Sequence, residues 1–202
     1  DGLVADLGVS RHQLTVGERG FSLMADGPLD MRMSRARHSS TPAWERTAAD
    51  IVNFESEREL ARLIFELGEE RRSRKIARAI VRGRPVTTTS QLAKLIEGAV
   101  PRTGKLHPAT QTFMALRLAV NDEMGELDAL LDSIPRLVGA GGRAVAIAFM
   151  SLEDRKVKRS FQALAKEGRA RLLTRHVVRP SLPEVRDNPP SRSAKLRAIE
   201  LL

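Results

Sequence analysis

Strand-like segments open and close this chain, while about 60–70 residues between them carry only helical periodicity. Leu3, Val4, Ala5 and Leu7 form a short apolar run around Asp6 that ends in Gly8-Val9-Ser10. Such a run is expected to be a buried parallel strand feeding a loop. In the middle block, Ser56 and Glu59 have capping-box spacing, and Leu60, Leu63, Ile64 and Leu67 share one face before Gly68. Residues 69–81 read as a second helix with Ile76 and Ile80 inward, stopped by Gly83 and Pro85. Thr87, Thr88 and Thr89 cap a third helix through Leu92, Leu95 and Ile96. Pro108 suits the first turn of one long helix whose face is Phe113, Leu116, Val120, Met124 and Leu127.

The pattern changes back at Gly139. Residues 139–142 are a turn and 144–149 a continuous apolar strand, after which Ser151-Leu152-Glu153-Asp154 caps a helix running to about Glu167 and stopped by Gly168. Leu172-Leu173 and Val177-Val178 suggest a strand, residues 180–190 a loop and 194–199 a final strand. Strand and helix signals at both ends of a helical block imply an α/β sheet domain interrupted by an insertion. The expected sheet domain comprises residues 1–46 and 111–202, and the insertion residues 47–110. Residues 15–44 show no period, being broken by Gly17, Gly20, Gly27, Pro28 and Pro42. A loop that long is expected to be functional or disordered. Asp1, not Met, opens a run that already reads as strand, so the first strands of the sheet are expected to be missing.

Charge narrows the partners. The net charge is +9, and residues 153–202 hold 13 Lys and Arg against 6 Asp and Glu, which is +7 of it. A basic region of this kind attracts polyanions, of which nucleic acid is the commonest in a cell. Aromatics are only 3%, with no Tyr and one Trp, which argues against base-stacking platforms such as the RNA recognition motif. No cysteine is present, so disulfides, thiolate catalysis and Cys-ligated metals are excluded. His12, His38, His107 and His176 are scattered without metal-ligand spacing, and a metal-free protein is expected. No apolar run approaches the roughly 20 residues of a membrane span, nor is there a signal-peptide pattern, so a cytoplasmic protein is expected.

In open α/β sheets ligands bind beyond the carboxyl ends of the strands. Two such ends stand out: Asp6 through Gln13, and Phe149 through Arg155. Asp6 can accept hydrogen bonds from a ligand amine or hydroxyl, or can cap the following turn. The Ser151-Leu152-Glu153-Asp154-Arg155 run is equally consistent with a helix N-cap and first-turn acids that suit the helix dipole.

Several blocks, taken in order, carry more than any of them alone. They are Asp6-Leu7-Gly8-Val9-Ser10 with Gln13-Leu14, Glu18-Arg19-Gly20-Phe21-Ser22, and Asp26-Gly27-Pro28-Leu29-Asp30-Met31-Arg32. Thr47-Ala48-Ala49-Asp50, Gly68-Glu69-Glu70-Arg71-Arg72-Ser73-Arg74, His107-Pro108 and Val120-Asn121-Asp122-Glu123 follow. Ser151-Leu152-Glu153-Asp154-Arg155 and Ser191-Arg192-Ser193-Ala194-Lys195-Leu196-Arg197 close the series. In this order they resemble the bacterial small-subunit (16S) ribosomal RNA cytosine-N4 methyltransferase family, over nearly the whole chain.

The resemblance implies a class I (Rossmann-like) methyltransferase sheet carrying an all-helical substrate-recognition insertion, with S-adenosyl-L-methionine as cofactor. It implies that Asp6 and Gln13 contact that cofactor, and it makes Asp6 the candidate catalytic acceptor. The family's glycine-rich first loop and its acidic residue for the ribose hydroxyls have no counterpart here, so this chain alone is expected to be inactive. Departures from the family pattern are Arg11 for Ser, Met114 for Gln and Met150 for His.

The expected partner is 16S ribosomal RNA or the small ribosomal subunit, and homodimerisation is left open. Candidate RNA contacts are Arg71, Arg72, Arg74 and Lys75 at the start of the second insertion helix, Arg155 and Lys158, and Arg192, Lys195 and Arg197 around the last strand. Each could instead belong to a solvated face, with Glu69 and Glu70 pairing nearby. The competing functional readings are a non-catalytic RNA-binding or ribosome-assembly protein and a protein-interaction module.

Overall fold

The computed structural model describes residues 1–9, 17–33, 46–102, 104 and 106–202. Along the chain run β1 (Gly2–Asp6), α1 (Ala48–Phe54), α2 (Glu57–Gly68), α3 (Ser73–Arg82), α4 (Thr89–Ala99), α5 (Thr110–Val120) and α6 (Glu123–Leu137). They are followed by β2 (Arg143–Ala148), α7 (Ser151–Lys166), β3 (Ala170–Leu172), α8 (Leu182–Asp187) and β4 (Lys195–Leu201). The chain divides into two compact units, one of residues 1–8 and 124–202, the other of residues 9–123. Residues 47–110 lie wholly inside the second unit.

The first unit is a mixed α/β structure around a four-stranded sheet of order β1-β2-β4-β3. β1 and β2 are parallel, with Asp6 opposite Ile147; β4 runs antiparallel to both β2 and β3, with Lys195 opposite Ala148. Along β2 the alternation puts Ala144, Ala146 and Ala148 on the buried face, so the continuous apolar run carries two different faces. The core lies where Leu127, Leu131 and Ile134 of α6 and Val157, Phe161 and Leu164 of α7 meet Ala144, Ala146 and Ile199. α7 ends as expected, with Gly168 at a φ of 70° that other residues rarely adopt. β1 departs from expectation. It is parallel but not buried, and Val4 is 73% exposed, because β2 is its only strand neighbour among the described residues.

The second unit is helical. Leu60 and Ile64 of α2, Ile76 and Ile80 of α3, Leu92 and Ile96 of α4, and Leu116 of α5 are fully enclosed. The non-periodic residues 17–33 are part of this core rather than a free loop. Phe21, Leu29 and Met31 are buried in it. Leu29 donates its backbone N–H to the Thr87 carbonyl at 2.9 Å, and Ala48 and Ala49 donate to the carbonyls of Asp30 and Leu29 at 2.8 and 2.7 Å. A Cβ on Gly27 would collide with the Gly17 carbonyl, so this loop closes only with glycine there. Asn121 locks the loop from α5: its side chain donates to the Met31 carbonyl at 2.8 Å and accepts from the Met33 N–H at 2.7 Å.

Three further expectations need correcting. The long helix through residues 113–127 is two, because Asp122 adopts a φ of 45° and ends the helical path between α5 and α6. Residues 180–190 contain α8, whose first turn is capped by the Ser181 hydroxyl accepting from the Glu184 N–H at 3.3 Å. The second insertion helix starts at Ser73, so Arg71 and Arg72 stand in the turn before it and not in the helix itself.

Candidate functional site at the carboxyl ends of the parallel strands

Because β1 and β2 are parallel, their carboxyl ends emerge side by side, and antiparallel β4 begins at the same level. This places Asp6, Phe149-Met150-Ser151 and Lys195 at one end of the first unit's sheet. Leu7 extends the ladder, its N–H donated to the Ile147 carbonyl at 2.9 Å. Gly8 then turns the chain at a φ of 107°, and a Cβ there would meet no atom of the described residues within 4 Å. The Asp6 side chain is exposed, and among the described residues none donates a hydrogen bond to its carboxylate. An exposed carboxylate at a strand end is a hydrogen-bond acceptor that fits the amines and hydroxyls of a nucleoside cofactor. Gln13 lies outside the described residues.

The run after β2 is settled by its hydrogen bonds. Glu153 is 3% exposed, and its carboxylate accepts from the N–H groups of both Phe149 and Met150 at 3.1 Å. It therefore caps α7, and the acid is occupied structurally. Asp154 accepts from Arg197 Nε at 2.7 Å and from the second guanidinium nitrogen at 3.2 Å, tying α7 to β4. Lys195 Nζ donates to Ser151 Oγ at 3.4 Å. Lys158, Arg175 and Arg197 share a narrow cleft with Phe161 and Thr174. Arg155, Lys158 and Arg192 are exposed. At the far end of β4, Arg143 and Arg171 both donate to Glu200, and Arg143 first and Arg171 second hold its carboxyl below the ordinary range.

In the helical unit, Arg72 is half-buried, donating to the Pro101 carbonyl at 3.0 Å and lying 3.4 Å from the buried Glu70 carboxylate. Arg71, Arg74 and Lys75 are exposed. The sequence pattern singled out Arg71 and Arg74 but not Arg58 and Arg78, which line the same groove. The i, i+4 spacings of Arg58 with Arg62 and of Arg74 with Arg78 were the available signal. Among the described residues no cluster of three or more His, Asp or Glu could hold a metal, and no helix is long and apolar enough to cross a membrane.

Strand ends with exposed carboxylates occur in many α/β proteins, and the family is decided by kinship. A model of the MraW methylase family matches residues 1–202. The chain belongs to this family. Among curated relatives of this MraW-family chain, the ribosomal RNA small subunit methyltransferase H of Solibacter usitatus is 59% identical over 201 residues, covering 100% of this chain and 68% of its own length. The protein of the same name from Acidobacterium capsulatum is 52% identical, covering 99% of this chain and 66% of its own length. That of Synechococcus elongatus is 50% identical, with 98% and 65% covered. The MraW-family chain thus spans about two thirds of the length of the curated relatives it matches. Among the family blocks quoted from the sequence, Asp6-Leu7-Gly8 forms the strand end, and the blocks at Glu18–Ser22 and Asp26–Arg32 help close the helical core.

Proposed function

We propose that this chain carries part of an S-adenosyl-L-methionine-dependent methyltransferase that modifies a cytosine N4 in 16S ribosomal RNA, acting on the small subunit in the cytoplasm. The reading takes the sheet as the class I, Rossmann-like methyltransferase sheet and residues 47–110 as the substrate-recognition insertion. One observation carries it beyond family membership: the exposed Asp6 carboxylate, without a hydrogen-bond partner among the described residues, at the end of β1 and level with the end of parallel β2.

The cofactor supplies an electrophilic methyl on a sulfonium centre. Cytosine N4 is a poor nucleophile, because its lone pair is delocalised into the ring, so the protein must hold the base out of its stack and in line. Asp6 accepts a hydrogen bond from the amine and gives the proton lost on transfer a nearby acceptor. Gly8 keeps a side chain off the strand end, while Glu153 keeps the adjacent turn rigid by holding the N–H groups of Phe149 and Met150. Met150, standing where the family pattern has His, offers only a weak acceptor there.

The test is calorimetric titration with S-adenosyl-L-methionine of the 202-residue chain, of a version extended to the length of its relatives, and of that version with Asp6→Asn. The expected result is binding by the extended protein only, weakened by Asp6→Asn. Unchanged affinity and turnover in the Asp6→Asn protein would remove Asp6 from both roles. No binding by either length would leave the non-catalytic RNA-binding reading.

A further inference from the structure

α2 and α3 of the helical unit face each other across an open groove of about 880 Å³, within the size range of pockets that take small ligands. Arg58, Arg62 and Phe65 stand at i, i+4 and i+7 on α2, and Arg74 and Arg78 at i and i+4 on α3, with Arg71 in the turn before it. The arginines differ in what they are doing. Arg62 is held between Glu59 and Glu66, at 2.8 and 3.1 Å, and Arg78 lies 3.3 Å from Glu57. Arg58, Arg71 and Arg74 are exposed and pair with no carboxylate among the described residues. Phe65 leaves 56% of its surface exposed in the same groove, an unusual placement in a chain with only 3% aromatics.

Three open guanidinium groups around one accessible aromatic ring match a chain that alternates phosphates with flat bases. We infer that this groove binds a short unpaired segment of the RNA substrate, with a base stacked on Phe65 and flanking phosphates held by Arg58 and Arg74. A duplex presents no free base face to such a ring, so the groove selects single-stranded or splayed-out RNA. The inference rests on the RNA-methyltransferase reading for its ligand, yet it concerns a surface of the helical unit alone.

The test uses the 202-residue chain and a fluorescently labelled short single-stranded RNA, with anisotropy read over a series of salt concentrations. Circular dichroism serves as the fold control, and a duplex of the same sequence as the comparison. Phe65→Ala and Phe65→Leu are each expected to weaken binding roughly 10-fold without changing the salt slope, and Phe65→Trp to restore it, since stacking needs a ring and not merely an apolar side chain. The Arg58→Gln/Arg74→Gln double variant is expected to flatten the slope of log K against log salt by about 1.4, for two lost phosphate contacts on a single strand. Wild-type affinity in both sets of variants, or equal affinity of wild type for duplex, would overturn the groove assignment while leaving the cofactor titration to stand or fall separately. If the extended protein binds no S-adenosyl-L-methionine but the chain shows this Phe65 dependence, the groove stands and the methyltransferase reading falls.

Discussion

Arg197 in the sheet unit and Arg74 in the helical unit were equal candidates for RNA on sequence, yet the structure uses them differently. Arg197 has two hydrogen bonds to Asp154 and is only 12% exposed, so its charge fixes α7 against β4. Arg74 is exposed and lines an open groove with no carboxylate partner among the described residues. The same contrast runs through each unit's interior. The helical unit closes its core with large aliphatic side chains and the loop of residues 17–33, whereas the sheet unit leaves β1 as a half-exposed edge. Net charge therefore does not locate the cations available to a ligand; pairing does. In the basic last quarter Arg197 is engaged by Asp154, while Arg74 on the equally basic α3 is available.

The largest effects should come from the two cores. Phe161→Ala in the sheet unit, where the ring is 1% exposed, should cost about 3–5 kcal/mol, and Ile76→Ala in the helical unit about 2–5 kcal/mol. Hydrogen exchange read by mass spectrometry should show each loss mainly in its own unit. Equal acceleration across both units from either variant would break the division. A smaller effect separates the two arginines directly. In urea unfolding, Arg197→Met should lose about 1.5–3 kcal/mol, the value of charge-assisted hydrogen bonds, while Arg74→Met should stay within about 0.5 kcal/mol of wild type. Similar losses in both would contradict the roles assigned here.

The smallest effect is a pH dependence. Asp26 accepts hydrogen bonds first from the Ser90 backbone N–H, at 3.0 Å, and also from the Thr89 hydroxyl and the Gly27 N–H, which lowers its pKa from an ordinary 3.8 to about 2. A carboxyl depressed in the folded state contributes stability above its unfolded pKa and loses it as pH falls through the folded one. The helical unit's urea midpoint should therefore decline between about pH 4 and pH 2. Asp26→Asn should decline less over that window. An identical decline would remove Asp26 as a source.

Local signals in the sequence were dependable where one residue or one turn decides the outcome. Ser56 and Thr88 cap α2 and α4, and Gly168 stops α7, as their spacing implies. The parallel strand ending at Asp6 was readable from its apolar run, but its exposure was not, because burial depends on which strands lie alongside. The break at Asp122 was hidden because the apolar positions from Phe113 to Leu127 keep helical spacing across it. The burial of Phe21, Leu29 and Met31 has no periodic signature at all; it follows from backbone hydrogen bonds to Thr87 and side-chain bonds to Asn121, which are distant in sequence. α8 was legible in principle, since Ser181, Pro183 and Glu184 make a capping signature inside a segment read as loop. The groove was not, because each helix supplies only half of its lining.

The claim that this family member methylates RNA is tested most directly by product analysis. The protein extended to the length of its relatives is incubated with small ribosomal subunits and S-adenosyl-L-methionine labelled in the methyl group, and the digested RNA is read by nucleoside mass spectrometry. Labelled N4-methylcytidine that disappears in the Asp6→Asn protein is the predicted result. Label in another nucleoside, or none in a preparation that binds the cofactor, would contradict it.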